Sequence, residues 1–159
     1  MGKGLLKLFT PEIVVVLTAM LPVVELRGAI PLGISLGLSP LESTVLGFIG
    51  SMIPSPFILF ATRPLFNYLK GTRPFKKIVH QLTNRSVNIN GAKIRKYGVL
   101  GLLIFVAIPL PGTGVWSGSL AAALLDMRFK LAFPSIFIGN AIAAVLLYLL
   151  SSGVISIIQ

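Results

Sequence analysis

Runs without a charged residue divide the chain. Ile13–Val24 holds 12 residues, Gly28–Leu41 14, Ser43–Thr62 20, Gly98–Leu125 28 and Leu131–Gln159 29. A helix needs about 20 apolar residues to cross the hydrocarbon core of a bilayer. Ser43–Thr62 and Leu131–Ile158 therefore read as full spans. Prolines interrupt them, at Pro54 and Pro56 in the first and Pro134 in the second. Membrane helices tolerate this where neighbours satisfy the freed carbonyls. The other two stretches are broken near their middles. Ile13–Leu21 is too short to span and runs into Pro22, Gly28, Pro31 and Gly33. Gly98–Ile108 is also short and runs into "PLPGTGVWSG", Pro109–Gly118. There Pro111 breaks a helix, and Gly112, Gly114 and Gly118 lower helix propensity further. Each stretch predicts two half-length helices around an irregular turn, as in a re-entrant hairpin or a discontinuous helix. Such backbone persists at membrane depth only when buried in protein or lining a wet cavity.

The two halves then match. Each runs short apolar helix, proline/glycine turn, second short helix, polar link, full span. "MLPVVELRGAIP" aligns with "AIPLPGTGVWSG" when Pro22 is laid on Pro109, an offset of 87, and "GFIGS" (Gly47–Ser51) aligns with "IFIGN" (Ile136–Asn140) at 89. A hairpin returns to the side it entered, so hairpin plus span crosses the membrane once and the second half starts on the opposite face. The pattern predicts an all-α integral membrane protein of one domain, residues 1–159. It holds two inverted repeats, about 9–62 and 98–159, each a re-entrant helical hairpin plus one transmembrane helix. A basic helical loop, 63–97, joins them. A rival topology has four full crossings, with both termini and the loop on one side.

Composition agrees with the membrane reading. The chain is 55% hydrophobic and 11% charged, where soluble domains carry about 25% charged residues. A net charge of +10 raises nucleic acid as a partner. Its distribution argues against that, because nine of the 14 basic residues lie between Arg63 and Lys96 with no acid among them. Such a loop marks the cytoplasmic side and suits anionic lipid headgroups. "TRPFKKIVHQLTNRS" within it offers an N-cap at Thr72 and an apolar face of Phe75, Ile78, Val79 and Leu82, as in a helix lying on the inner leaflet. The location expected is the inner, plasma membrane, multi-pass. Cysteine is absent and the single histidine, His80, lies in the loop. With no nucleotide-binding, hydrolase or zinc motif either, no enzyme activity, metal or cofactor is expected.

The candidate chemistry lies in the turns. Glu25 and Arg27 are expensive at membrane depth, at about 2.5 kcal/mol or more each. At i,i+2 they face different sides of a helix, so mutual pairing suits an unwound turn better. Two roles fit. In one, a buried ion pair fixes the hairpin. In the other, Glu25 exchanges protons while Arg27 holds an anionic group such as a phosphate. Gly28 and Pro31 complete that turn. The second turn, with Pro109, Pro111, Gly112, Thr113, Gly114 and Trp116, carries no charge. It offers backbone N–H groups at a helix start, which favour anions, and the Thr113 and Ser117 hydroxyls. Its glycines equally suit close backbone approach. Asn140, inside the last span, reads as a polar site residue or as interhelical glue.

"PVVELRGAIPLGI", "PLPGTGVWSGSLAA" and the basic loop between them resemble the small multidrug export protein family over nearly the whole chain. More distantly the chain is similar to the DedA/VTT superfamily, whose members have two opposed re-entrant hairpins and include lipid flippases. The resemblance implies a site for an acid at Glu25. The second turn lacks the arginine that a DedA-like motif carries there. These readings predict a transporter, proton-coupled, moving an amphiphile or a lipid-linked anion. The alternative is a non-transporting scaffold or assembly factor in which Glu25 and Arg27 are structural. Membrane lipids are the expected partners, and a homodimer is a further expectation.

Overall fold

A computed structural model describes residues 10–70, 91–110, 112–125 and 127–158. No strand occurs among them. The helices are α1 (Pro11–Ala19), α2 (Glu25–Ser35), α3 (Pro40–Met52), α4 (Pro54–Lys70), α5 (Gly91–Ala107), α6 (Val115–Leu124) and α7 (Phe129–Ile158). Two stretches are long and apolar enough to cross a membrane: Pro40–Ala61, 22 residues across α3 and α4, and Phe129–Gly153, 25 residues of α7. These coincide with the expected spans.

Local chemistry sets the ends. Ser39 opens α3 with a capping box. Its hydroxyl accepts from Glu42 N (3.2 Å), and the Glu42 carboxylate accepts from Ser39 N (3.0 Å) and Ser39 Oγ (2.8 Å). Proline follows the cap, where its missing N–H costs nothing. Ile53 separates α3 from α4, because Pro54 and Pro56 cannot donate to the preceding turn.

The structure differs from expectation in two places. The basic segment 63–97 is helical at both ends, since α4 runs on to Lys70 and α5 begins at Gly91. Its centre, including His80 and the expected interfacial helix, lies outside the described residues. The first turn is shorter than its breakers predict: the second helix of the first half starts at Glu25, so Gly28, Pro31 and Gly33 lie inside α2. Arg27 therefore lies within the helix, while Glu25, its first residue, keeps a left-handed φ of +47° where turn and helix join.

The packing repeats itself. α1 and α2 pack on each other and on α3, and α5 and α6 do the same with α7. Gly50 lets α3 touch α1: a Cβ there would stand 2.5 Å from Val16 O and 2.9 Å from Ala19 Cβ. Gly139 does the same for α7 on α5, where a Cβ would stand 2.6 Å from Leu103 O and 2.9 Å from Val106 Cβ. The two spans meet directly. Phe48 and Phe137 stack edge to face, with centroids 5.2 Å apart. Asn140 Nδ2 donates to Ser51 Oγ at 2.8 Å. Beside them, α4 packs on α6 through Ser55 and Ser119, whose hydroxyls are 3.3 Å apart. Three buried clusters fill the interior, around Val15 and Ala19, around Val106 and Ile136, and between α2 and α7 at Ile30 and Ala144. Outward faces carry Ile49, Phe57, Phe60, Ile138, Val145 and Leu149. Such an apolar exterior suits lipid.

Candidate functional site

The two turns meet. Met20–Val24 closes the first hairpin and Ile108–Gly114 links α5 to α6. Glu25 stands at the start of α2 with φ +47°. That left-handed geometry costs a non-glycine residue about 1–2 kcal/mol. It persists here because it turns the carboxylate across to the second hairpin. Glu25 Oε1 accepts from Trp116 N at 2.9 Å, and the Val115 N–H also reaches the carboxylate. These are the first N–H groups of α6, which lack partners within their own helix. The acid satisfies them and meets the positive end of the helix dipole. Only 5% of Glu25 is exposed.

Arg27 leaves α2 two residues later and takes the other end of the same turn. Its Nη1 donates to Leu110 O, and its Nη2 to Ile108 O (3.3 Å) and Thr113 Oγ1 (2.7 Å). Those carbonyls follow the last residue of α5, near the negative end of its dipole. Pro109 and Pro111 cannot continue the helix past them. Thr113 holds the loop in place, turning its hydroxyl to Ile108 O at 2.7 Å. Glu25 and Arg27 therefore do not pair with each other. Each charge meets the helix end of opposite sign in the other hairpin. The i,i+2 spacing that disfavours mutual pairing is what lets them diverge.

Two further contacts close the junction. Trp116 Nε1 donates to Met20 O at 3.0 Å, returning a bond from the second hairpin to the first. Gly114 has φ +140°, and a Cβ there would stand 1.8 Å from Glu25 Oε2. No side chain fits.

The expected site residues separate into groups. Glu25, Arg27, Thr113, Gly114 and Trp116 come together at the junction. Pro109 and Gly112 (φ +84°) shape the second turn without a polar side chain to offer. Pro111 lies outside the described residues. A Cβ at Gly28 would run into the Val24 side chain one turn back. Pro31 is exposed inside α2. Asn140 joins Ser51 between the spans, as glue. Sequence reasoning missed the carbonyls of Met20, Ile108 and Leu110, because backbone acceptors have no residue signature. Only the prolines that keep α5 from running on through this stretch hint that its carbonyls turn elsewhere. The sequence left the α6 N-terminus either as an anion site or as a place of close backbone approach; in the structure the Glu25 carboxylate occupies it. Among the described residues, no group of acids and histidines could hold a metal ion.

The family described as "Putative small multi-drug export protein" matches residues 25–146. The match opens at Glu25, just after the first turn, and takes in α2, the span across α3 and α4, the second turn and α7 as far as Leu146. No curated protein and no solved structure matches the chain.

Proposed function

The chain belongs to the small multi-drug export protein family, and on that premise we propose that it is a proton-coupled membrane transporter whose working site is the junction of its two turns. In this reading each half is a re-entrant hairpin plus a span, and the halves are inverted repeats. The packing supports this. Gly50 and Gly139 stand 89 residues apart, and the α1 and α5 residues they touch, Val16 and Leu103, Ala19 and Val106, stand 87 apart. Those are the offsets of the sequence match. Phe48 and Phe137, and Ser51 and Asn140, are equivalent residues that touch each other. Equivalent residues of a two-fold pair touch only near the axis.

One observation carries the functional reading. The two charges at the start of α2 hold the second turn by hydrogen bonds, without a salt bridge between them. Such a junction can open if one bond is weakened from outside. Protonation of Glu25 removes the charge that holds the α6 N-terminus. In the cycle, Glu25 takes a proton, α6 is released, the substrate site opens to the other face, and loss of the proton resets the junction. An amphiphile is exchanged for protons. The test is transport into proteoliposomes with Glu25→Gln and Arg27→Ala. Both should fold and lose most proton-driven transport. Wild-type rates in both would sink the mechanism.

A second reading has an observation of its own. Both charged groups already spend bonds on the protein's backbone, as purely structural caps would. A scaffold built that way predicts that both substitutions unfold the protein in detergent, instead of leaving it folded and inactive.

A further inference from the structure

α6 is tied to the first half by hydrogen bonds at two levels. At its start, the Val115 and Trp116 N–H groups meet the Glu25 carboxylate, and Trp116 Nε1 donates to Met20 O at 3.0 Å. One turn further on, Ser119 meets Ser55 of α4. Both serines are fully buried, and their hydroxyls lie 3.3 Å apart. That is long for a hydroxyl pair, which favours about 2.7–2.8 Å. The matching contact between the halves is of a different kind. Ser55 and Ser119 stand 89 residues from their counterparts, Ala144 and Ile30. Those two also belong to one contact, between α2 and α7, where Leu26 and Ile30 share a buried apolar cluster with Ala143 and Ala144.

The two seams cost different amounts to part. Bulky side chains set on alanines lose many van der Waals contacts when their helices separate. The serine pair loses one weak neutral bond. Each hydroxyl can then turn back to a carbonyl of its own helix, as Ser135 already does to Leu131 O at 2.7 Å. The seams also lead to opposite ends of the molecule. α4 runs on into the basic segment, and α6 is followed by Arg128 and Phe129, with Phe129 stacked on Phe60 of α4 at 4.7 Å. The α4–α6 seam therefore faces the end that the basic segment marks. α2 runs the other way, to the end where α3 begins at Pro40.

We propose that the α4–α6 seam is a gate: when Glu25 lets go of α6, this seam parts toward the basic end, while the α2–α7 seam stays shut. The assignment rests on the reading of the junction as the working site. It adds which helix moves, against which neighbour and toward which face. The near-symmetry of the two halves is broken where their equivalent contacts differ, so one acid controls one gate.

The chain has no cysteine, so paired thiols report on each seam alone. Ser55→Cys with Ser119→Cys marks the gate, and Ile30→Cys with Ala144→Cys marks the seam that stays shut. Each pair is made with Glu25 in place and with Glu25→Gln, reconstituted in phosphatidylcholine vesicles and oxidised at one fixed pH. Bridging is read as the loss of free thiols in the denatured protein. Both pairs should bridge when Glu25 is present. Glu25→Gln should slow bridging at the gate by about threefold or more and leave the other pair unchanged. That unchanged pair shows that the variant is folded. Equal gate rates with and without the acid overturn the proposal. So does slowing of both pairs together, and so does failure of either pair to bridge with Glu25 in place. Transport separates this inference from the reading it rests on. If the gate pair responds but wild-type proteoliposomes show no proton-driven movement of ethidium or dodecyl phosphate, the transport reading fails and the gate stands. If bridging the gate pair leaves such movement intact, the gate fails and the transport reading stands.

Discussion

Gly114 shows how much one residue can hold. Its φ of +140° is open only to glycine at low cost, and the space a Cβ would need is filled by the Glu25 carboxylate. Gly114→Ala should therefore displace Glu25 without changing its charge. The expected result is a loss of about 2 kcal/mol or more, from backbone strain and a buried acid stripped of its donors. Thermal unfolding in detergent measures it. If the junction is the transport site, any folded fraction should also be inactive although both charges are present. Little of this was legible in the sequence. Glu25 and Arg27 stand out because charge at membrane depth is costly. Their partners are 81 to 91 residues away and mostly backbone atoms, which carry no side-chain signature. A glycine needed for a neighbour's carboxylate looks, in sequence, like one needed for a turn.

At the scale of elements the sequence says more. Run lengths and prolines place both spans, and the breakers place both turns. The structure moves one boundary further, since α5 begins at Gly91, seven residues before Gly98, and it draws Gly28 and Pro31 from the turn into α2. Capping is legible too: Ser39, Pro40 and Glu42 spell a capping box, and the structure has both of its bonds. Ser39→Ala should cost about 1 kcal/mol, read as a lower unfolding temperature in detergent. It should leave transport of the folded protein unchanged, since α3 begins at the far end of its helix from Gly50 and Ser51. That contrast with Gly114→Ala separates loss of stability from loss of function. What the sequence hid at this scale is how the elements pair. Ser55 meets Ser119 between α4 and α6, and neither helix has a pattern that names the other.

At the scale of the molecule, topology decides between inverted hairpins and four crossings. The chain has no native cysteine, so single cysteines at positions 3, 80 and 159 can be labelled from either face without background. Inverted hairpins predict position 80 opposite the other two. All three on one face would restore the four-crossing arrangement and remove the basis for alternating access. The length of α1 has a last consequence, for voltage. Nine residues rise about 14 Å at ~1.5 Å each, roughly half of the ~30 Å hydrocarbon thickness. In the inverted arrangement the turns end near mid-depth, so Glu25 sits about halfway down the electric field across the membrane. A full crossing by one charge is worth about 2.3 kcal/mol per 100 mV, so a proton reaching Glu25 from either face would feel about half of that. The protein's occupancy by protons would then follow the cell's membrane potential as well as its pH gradient, and a cell that lost either one would still keep part of the drive.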